Sequence, residues 1–361
     1  MRGEDIRPGA VYYVIDMEEA VSQSHPLRPI RRMLNQGLNN LWAHFESLYS
    51  KTGRPSIPPE RLIRALFLQV LYAIRSEEQL IEQLRYNLLY RWFVGLGPND
   101  PVWDPTVFTK NRTRLIAGEV SQRLFAQVLG QARAHNLLSE EHFTVDGTLL
   151  EAWAGQKSFK PKDPAQVVGT GSGGKKCLRD THESSTDPQA RLYKKSNVGE
   201  AKACFLGHVI IENRNGLVVA ACATQASTKA ERESGLKMLD TLDLGASTRP
   251  DLHLTLGADT LYQEEKFVEG LRARNIAPHV AEYEPSKHWP NFLTEAERTD
   301  PGFRISQRKR RLVEMIFGWG KADSIMRKLK LHGCAAVDWL FRFIEMANNL
   351  LVRLVKLIPA Q

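Results

Sequence analysis

Asp146 stands within the alternating run Phe143-Thr-Val-Asp-Gly-Thr-Leu-Leu150, and Asp259 closes a second apolar run, Leu254-Thr-Leu-Gly-Ala258. A carboxylate on an apolar strand is desolvated unless it is paired or bound to a cation, and a hard divalent cation turns that cost into a site. Taken singly, each aspartate reads equally as a capping or turn residue. A third acid, Glu314, lies in Gln307-Arg-Lys-Arg-Arg-Leu-Val-Glu-Met-Ile-Phe-Gly-Trp-Gly-Lys321. Helical spacing puts Arg310, Glu314 and Lys321 on one face with Gln307 a turn upstream, and predicts Leu312, Met315, Ile316 and Trp319 as the opposite, buried stripe. The plain alternative is a solvated basic helix whose Arg310–Glu314 pair contributes ~0.5 kcal/mol. Three carboxylates beside cations are what in-line phosphodiester chemistry requires. Two ions, Mg2+ or Mn2+, serve it: one lowers the pKa of the attacking water or 3′-hydroxyl and the other stabilises the leaving oxygen. Oxygen ligands favour those ions over zinc.

The charge is distributed to match. The chain of 361 residues carries 49 Lys and Arg against 41 Asp and Glu, a net +8 with a pI near 9.3. Residues 304–330 hold nine bases and two acids, and 155–195 hold nine bases and four acids, so the rest of the chain is net acidic. Two cationic segments, one around the third carboxylate and one following the first, point to a polyanion laid across the site.

Other candidates read as structure. Gly169-Thr-Gly-Ser-Gly-Gly174-Lys175-Lys176 matches G-x-G-x-x-G, but Lys176 occupies the P-loop's Ser/Thr position and neither a strand before it nor a helix after it is encoded, so it reads as a linker. Cys177, Cys204, Cys222 and Cys334 form no C-x-x-C pair, which excludes a zinc knuckle or redox dithiol and fits a reducing compartment. His208 and His253 read as hydrogen-bonded strand residues.

The elements that must position the acids fall into two textures. Residues 53–138 are helical, from Pro59 to about Arg75, from the capping box Ser76-Glu-Glu-Gln79 to Gly95, from Asp104-Pro105, and from Glu119 to Ala134. Tyr86, Tyr90, Trp92 and Phe93 are predicted core. The helix from Asp104 carries Lys110 and Arg112, the expected DNA contacts of this region. Residues 1–52 form an N-terminal segment of uncertain, partly helical structure. Residues 139–361 are expected to form a mixed five-stranded α/β sheet flanked by helices, with a basic loop at 155–195 and an Asn-Gly hairpin turn at 215–216. Two helices, about 306–328 and 335–358, follow. Neither a signal-peptide core nor an apolar run of ~18 residues occurs, so the expectation is a cytoplasmic protein with no membrane partner.

From Gly53 to Leu357 the chain resembles insertion-sequence transposases of the IS5 family, in the DDE group with an RNase H-like catalytic domain. Five blocks carry the resemblance. They are Gly53-Arg-Pro-Ser-Ile-Pro-Pro-Glu60 through Leu96, Val145-Asp-Gly-Thr-Leu-Leu-Glu-Ala-Trp-Ala154, Thr186 through Val218, Leu256-Gly-Ala-Asp259, and Ser306-Gln-Arg through Lys321. The resemblance implies Asp146, Asp259 and Glu314 as the metal-binding triad. It also implies Arg310 and Lys321 as phosphate contacts, with Gln307 and Arg308 beside them. It further implies a homodimer acting on double-stranded DNA: terminal inverted repeats are cleaved and the 3′-hydroxyl is joined to target DNA. Trp153 and Tyr262, each close to an aspartate, are candidates to stack on an unpaired base. The chain departs from the family pattern in three places: Gln307 where the signature has Tyr, Thr260 where Lys usually follows the second aspartate, and Asn348-Asn349. These leave two rival readings: a repurposed DNA-binding protein without catalysis, and a nuclease that hydrolyses without joining.

Overall fold

A computed structural model describes residues 16–162, 182–194, 200–242, 253–283 and 290–358. The Gly-rich stretch 169–176 and Cys177 lie outside these residues.

Seven helices come first: α1 (Leu27–Asn40), α2 (Trp42–Leu48), α3 (Pro59–Leu71), α4 (Glu77–Tyr86), α5 (Leu88–Val94), α6 (Pro105–Ala117) and α7 (Val120–Ala134). Their ends follow local chemistry. Ser76 accepts from Gln79 N at 3.1 Å and Asp104 from Thr106 N at 2.8 Å, satisfying backbone donors that a helix start leaves open. The single helix predicted from Ser76 to Gly95 is two, because the Asn87 side chain accepts from Tyr90 N at 3.2 Å and opens α5 afresh. That break turns Tyr86 out to 79% exposure, so it is not core, while Tyr90, Trp92 and Phe93 are buried. Gly95 ends α5 at φ +89°, a left-handed value that suits glycine.

The sheet begins with β1 (His142–Glu151). The segment predicted as a basic loop instead contains two short strands, β2 (Phe159–Pro161) and β3 (His182–Ser184), paired antiparallel, and β4 (Arg191–Tyr193) on the main sheet. There follow β5 (Lys202–Glu212), β6 (Val218–Gln225), α8 (Ala230–Thr241), β7 (Leu254–Ala258), α9 (Glu265–Arg272) and β8 (Ile276–Val280). The order across the sheet is β6-β5-β1-β7-β8, with β4 continuing beside β5. β5 runs antiparallel to both β1 and β6, and β7 and β8 run parallel to β1. Three antiparallel strands followed by two parallel ones, with helices on both faces, is the RNase H-like arrangement.

The chain continues through α10 (Glu295–Arg298), α11 (Phe303–Lys309), α12 (Arg311–Ala322) and α13 (Cys334–Asn348), a π-helical turn at Asn349–Leu354 and α14 (Val355–Leu357). The helix predicted over 306–328 is therefore divided at Arg310. α13 lies on β6 and β5 and also against α3 and α7, so one hydrophobic cluster runs from Leu27 and Phe67 to Phe343 and Leu350. Phe67 and Phe343 meet edge to face at 4.8 Å between ring centres. The α13 core also contains Glu345, wholly buried with both carboxylate oxygens unpartnered, and burial pushes it up to about 8. At the π turn, Asn349 Nδ2 donates to Val218 O at 2.8 Å and its Oδ1 accepts from Val218 N at 2.9 Å. No described helix is long and apolar enough to cross a membrane.

Candidate active site

Parallel pairing sets His142, Phe143 and Thr144 opposite Thr255, Leu256 and Gly257, and the same register carried on brings Asp146 level with Asp259. Strand neighbours lie about 4.8 Å apart. Asp146 thus lies toward the end of β1 that outruns β7, and Asp259 directly follows the last residue of β7. Each is turned onto backbone: Asp146 Oδ1 accepts from Gly147 N at 2.7 Å, and Asp259 Oδ1 from Leu261 N at 2.9 Å, opening the 3-10 turn Thr260–Tyr262. The capping role that competed with the metal role is thus present at Asp259, and it leaves the second carboxylate oxygen for other partners.

Tyr262, in that turn, is wholly buried and its hydroxyl has no hydrogen-bond partner. Burial foremost, then the carboxylates of Glu231, Asp146 and Asp259, hold that hydroxyl well above its ordinary range. A ring enclosed on every side cannot receive a base, so the stacking role expected for Tyr262 is corrected. Glu231, in the first turn of α8, was missed by the sequence reading: an acid opening a helix is an ordinary cap-region residue.

Glu314 is exposed on α12, in the same helix as Lys321, with Arg310 at the break that precedes it. The buried stripe of this helix differs from the one that spacing predicted. Val313, Ile316, Phe317 and Gly320 are buried and Met315 is 60% exposed, because Met326 packs directly under Gly320 and draws that face inward. Lys321 Nζ donates to Thr148 Oγ1 at 2.5 Å, which fixes α12 across β1. The Arg310 Nε is buried without a partner. Gln307, expected as a DNA contact, donates from Nε2 to the carbonyls of His279 at 2.5 Å and Ala258 at 3.4 Å, anchoring α11 to the ends of β8 and β7. Arg308 is exposed. Of the two cations assigned to α6, Lys110 is exposed, whereas Arg112 is paired with Glu77 at the start of α4, both side chains largely covered. His208 bonds Thr224 Oγ1 at 2.7 Å and His253 bonds Asp300 Oδ2 at 3.0 Å, as predicted for hydrogen-bonded histidines.

A groove of about 1000 Å3 runs between the helical region and the far end of β1, lined among others by Arg75, Glu151, Trp153, Lys321, Lys328 and Lys330 and by none of Asp146, Asp259 and Glu314. Trp153 is 43% exposed in it, with the ammonium groups of Lys328 and Lys330 over its ring at 5.2 and 5.1 Å. The 327–330 segment is held there by β1, Glu151 N donating to Arg327 O at 3.3 Å and Leu329 N to Glu151 O at 3.1 Å.

Residues 15–114 match the family model of a transposase domain (DUF772). The match spans α1 through most of α6, of which α3, α4 and α6 contribute residues to the lining of the groove. Among solved structures, the chain is similar to the piggyBac transposase of a synaptic complex with hairpin DNA at 10% identity, covering 89% of this chain and 73% of that one with a TM-score of 0.38. It is similar to the Mos1 mariner transposase of a paired-end complex with Mn at 13% identity, covering 92% and 87%, with a TM-score of 0.20. No curated protein sequence matches the chain. The RNase H-like assignment beside the transposase domain rests on the strand order.

Among the described residues no three His, Cys, Asp or Glu side chains stand closed around a single point. The donor set nevertheless suits a hard divalent cation. The nearby oxygen donors are the carboxylates of Asp146, Asp259 and Glu231, the last lying against the space a Cβ at Gly147 would fill, and the unpartnered buried hydroxyl of Tyr262.

Proposed function

We propose that this protein is a DNA transposase that cleaves phosphodiester bonds at element ends and joins the 3′-hydroxyl to target DNA. What supports this reading is the parallel register of β1 and β7, which carries Asp146 and Asp259 toward the same ends of adjacent strands, in a chain whose residues 15–114 match a transposase domain. Asp146, Asp259 and Glu314 hold divalent metal, Mg2+ or Mn2+, which when bound activates the attacking water or 3′-hydroxyl and neutralises the leaving oxygen. Arg310, Lys321 and Arg308 engage the phosphates on the α11–α12 side, and Lys110 engages those on the helical side. Trp153, half exposed between two lysines, takes the face of an unpaired base, because an aromatic ring flanked by cations binds both base and backbone. The protein works as a homodimer on paired ends, in the cytoplasm, on double-stranded DNA.

The test uses duplexes made from the inverted repeats flanking the coding region. Asp146→Ala, Asp259→Ala and Glu314→Ala should each abolish Mg2+-dependent cleavage while leaving end binding nearly intact. Cleavage retained in any one of them removes that residue from the triad. Binding by the wild-type protein with no cleavage of authentic ends favours the repurposed DNA-binding protein, and cut ends without joined products favour the hydrolytic nuclease.

A further inference from the structure

We propose that Glu231 on α8 is a further carboxylate of this site and holds the divalent cation together with Asp146 and Asp259, the Tyr262 hydroxyl donating into the set. The inference rests on the reading of the strand ends as a metal-dependent phosphodiester site, and it adds a ligand from a helix that reading does not use.

α8 is placed to deliver it. Ser227 Oγ accepts from Ala230 N at 3.1 Å and starts the helix where β6 ends, and α8 then packs along β5, β6 and β1. Its close approach to β1 is continued one turn on, where a Cβ at Gly235 would touch Val145 Cγ2 at 3.5 Å. The neighbouring Arg232 is committed elsewhere, to the Glu264 carboxylate and to the carbonyls of Leu261 at 3.0 Å and Thr228 at 2.9 Å. The first turn of α8 thus presents Glu231 to the strand rather than to solvent.

Gly147 is what admits it. A Cβ there would lie 2.7 Å from Glu231 Oε1 and 2.9 Å from its Cγ, distances that no side chain at 147 can satisfy without displacing the carboxylate. The residue that follows Asp146 has given up its side chain at the point where an acid from another element arrives.

Three carboxylates gathered near one buried hydroxyl repel one another, and those of Asp146 and Asp259 are turned to neighbouring backbone N–H groups. A bound cation reverses that balance, since it outweighs the mutual repulsion. Tyr262 supplies the independent sign. It is fully buried, unpartnered, and close enough to Glu231, Asp146 and Asp259 for each to bear on its hydroxyl. An unmade buried hydrogen bond of this kind is costly, and the cost is recovered when a carboxylate oxygen turns toward it.

The experiment titrates the full-length protein with Mn2+ alone and reads free Mn2+ by electron paramagnetic resonance. Glu231→Gln keeps the shape and helix propensity of the residue, and should raise the Mn2+ dissociation constant at least tenfold with the metal-free melting temperature unchanged. Gly147→Ala, which pushes the carboxylate aside without removing it, should raise it too. Mn2+ binding equal to wild type in Glu231→Gln overturns the inference, as does a wild-type protein that binds no Mn2+. If Glu231→Gln melts early, Gly147→Ala decides, and unaltered binding there is the overturning result. Weakened Mn2+ binding in a protein that cuts no DNA upholds Glu231 and removes the transposase reading. End cleavage by wild type with unaltered Mn2+ binding in the variants does the reverse.

Discussion

Lys321 on α12 donates from Nζ to Oγ1 of Thr148 on β1 at 2.5 Å. Thr148 lies two residues beyond Asp146 and projects from the same face of the strand. The bond therefore sets the height at which the helix bearing Glu314 crosses the strand bearing Asp146. If Lys321 also neutralises one phosphate, Lys321→Ala should weaken end binding and reduce the slope of log K against log salt by about one. Fluorescence anisotropy at several salt concentrations measures it, and an unchanged slope confines Lys321 to the Thr148 tie.

Arg112 and Lys110 should separate cleanly. Arg112 is ion-paired with Glu77 at 15% and 17% side-chain exposure, so Arg112→Ala strands a covered carboxylate and should cost about 1–3 kcal/mol. Lys110→Ala should stay within ~0.5 kcal/mol of wild-type stability and weaken DNA binding instead. Urea melts and binding isotherms on both variants check this. A binding loss in Arg112→Ala without a stability loss would reverse the assignment.

Glu345 gives a pH signature. Its pKa rises from 4.5 in the unfolded reference to about 8 in the fold, so between those values the native state holds a proton that the unfolded chain has released. Stability from this position is complete below pH 4.5 and declines as pH rises to 8, by about 1.4 kcal/mol per unit. Glu345→Gln has no such proton. It should match wild type near pH 4.5 and exceed it increasingly toward pH 8, seen as diverging urea midpoints. Parallel stability curves would falsify the burial argument.

Asn349 satisfies both backbone groups of Val218. Asn349→Ala leaves a buried N–H and a buried C=O unmet, at about 1–3 kcal/mol each. Asn349→Asp restores only an acceptor and should remain below wild type. A variant within 0.5 kcal/mol of wild type, on the ~0.5 kcal/mol scale of neutral surface changes, would mean that solvent or a backbone shift replaces the pair.

The main strands were legible because β1, β5, β6 and β7 carry long apolar or alternating runs, and because Asn215-Gly216 marks the β5–β6 turn, where Gly216 adopts φ +69°. What could not be read was direction and rotation. The α12 stripe shifted by one position because Met326, from a later segment, chose the face it packs under. Asn87 split a helix by capping in competition with the periodic pattern around it. Asp146 and Asp259 were visible as acids on apolar strands, and the parallel register brings them level. Gln307, Arg112 and Tyr262 were visible only as residue types; each is occupied by partners or packing distant in sequence. Glu231 was invisible for the opposite reason, since its distinction is the glycine it faces on another strand.

The shared cluster that joins Phe67 on α3 to Phe343 on α13 bears on how the chain is made. The helical region leaves the ribosome first, yet the part of α3 and α7 that α13 covers stays open until residues 334–350 have been synthesised. Domains that fold as they emerge close their cores behind them; here the earliest helices stay open throughout synthesis of the sheet. A nascent chain ending before Cys334 should therefore be readily cut by protease within α3 and α7, and acquire resistance only once α13 is free to dock.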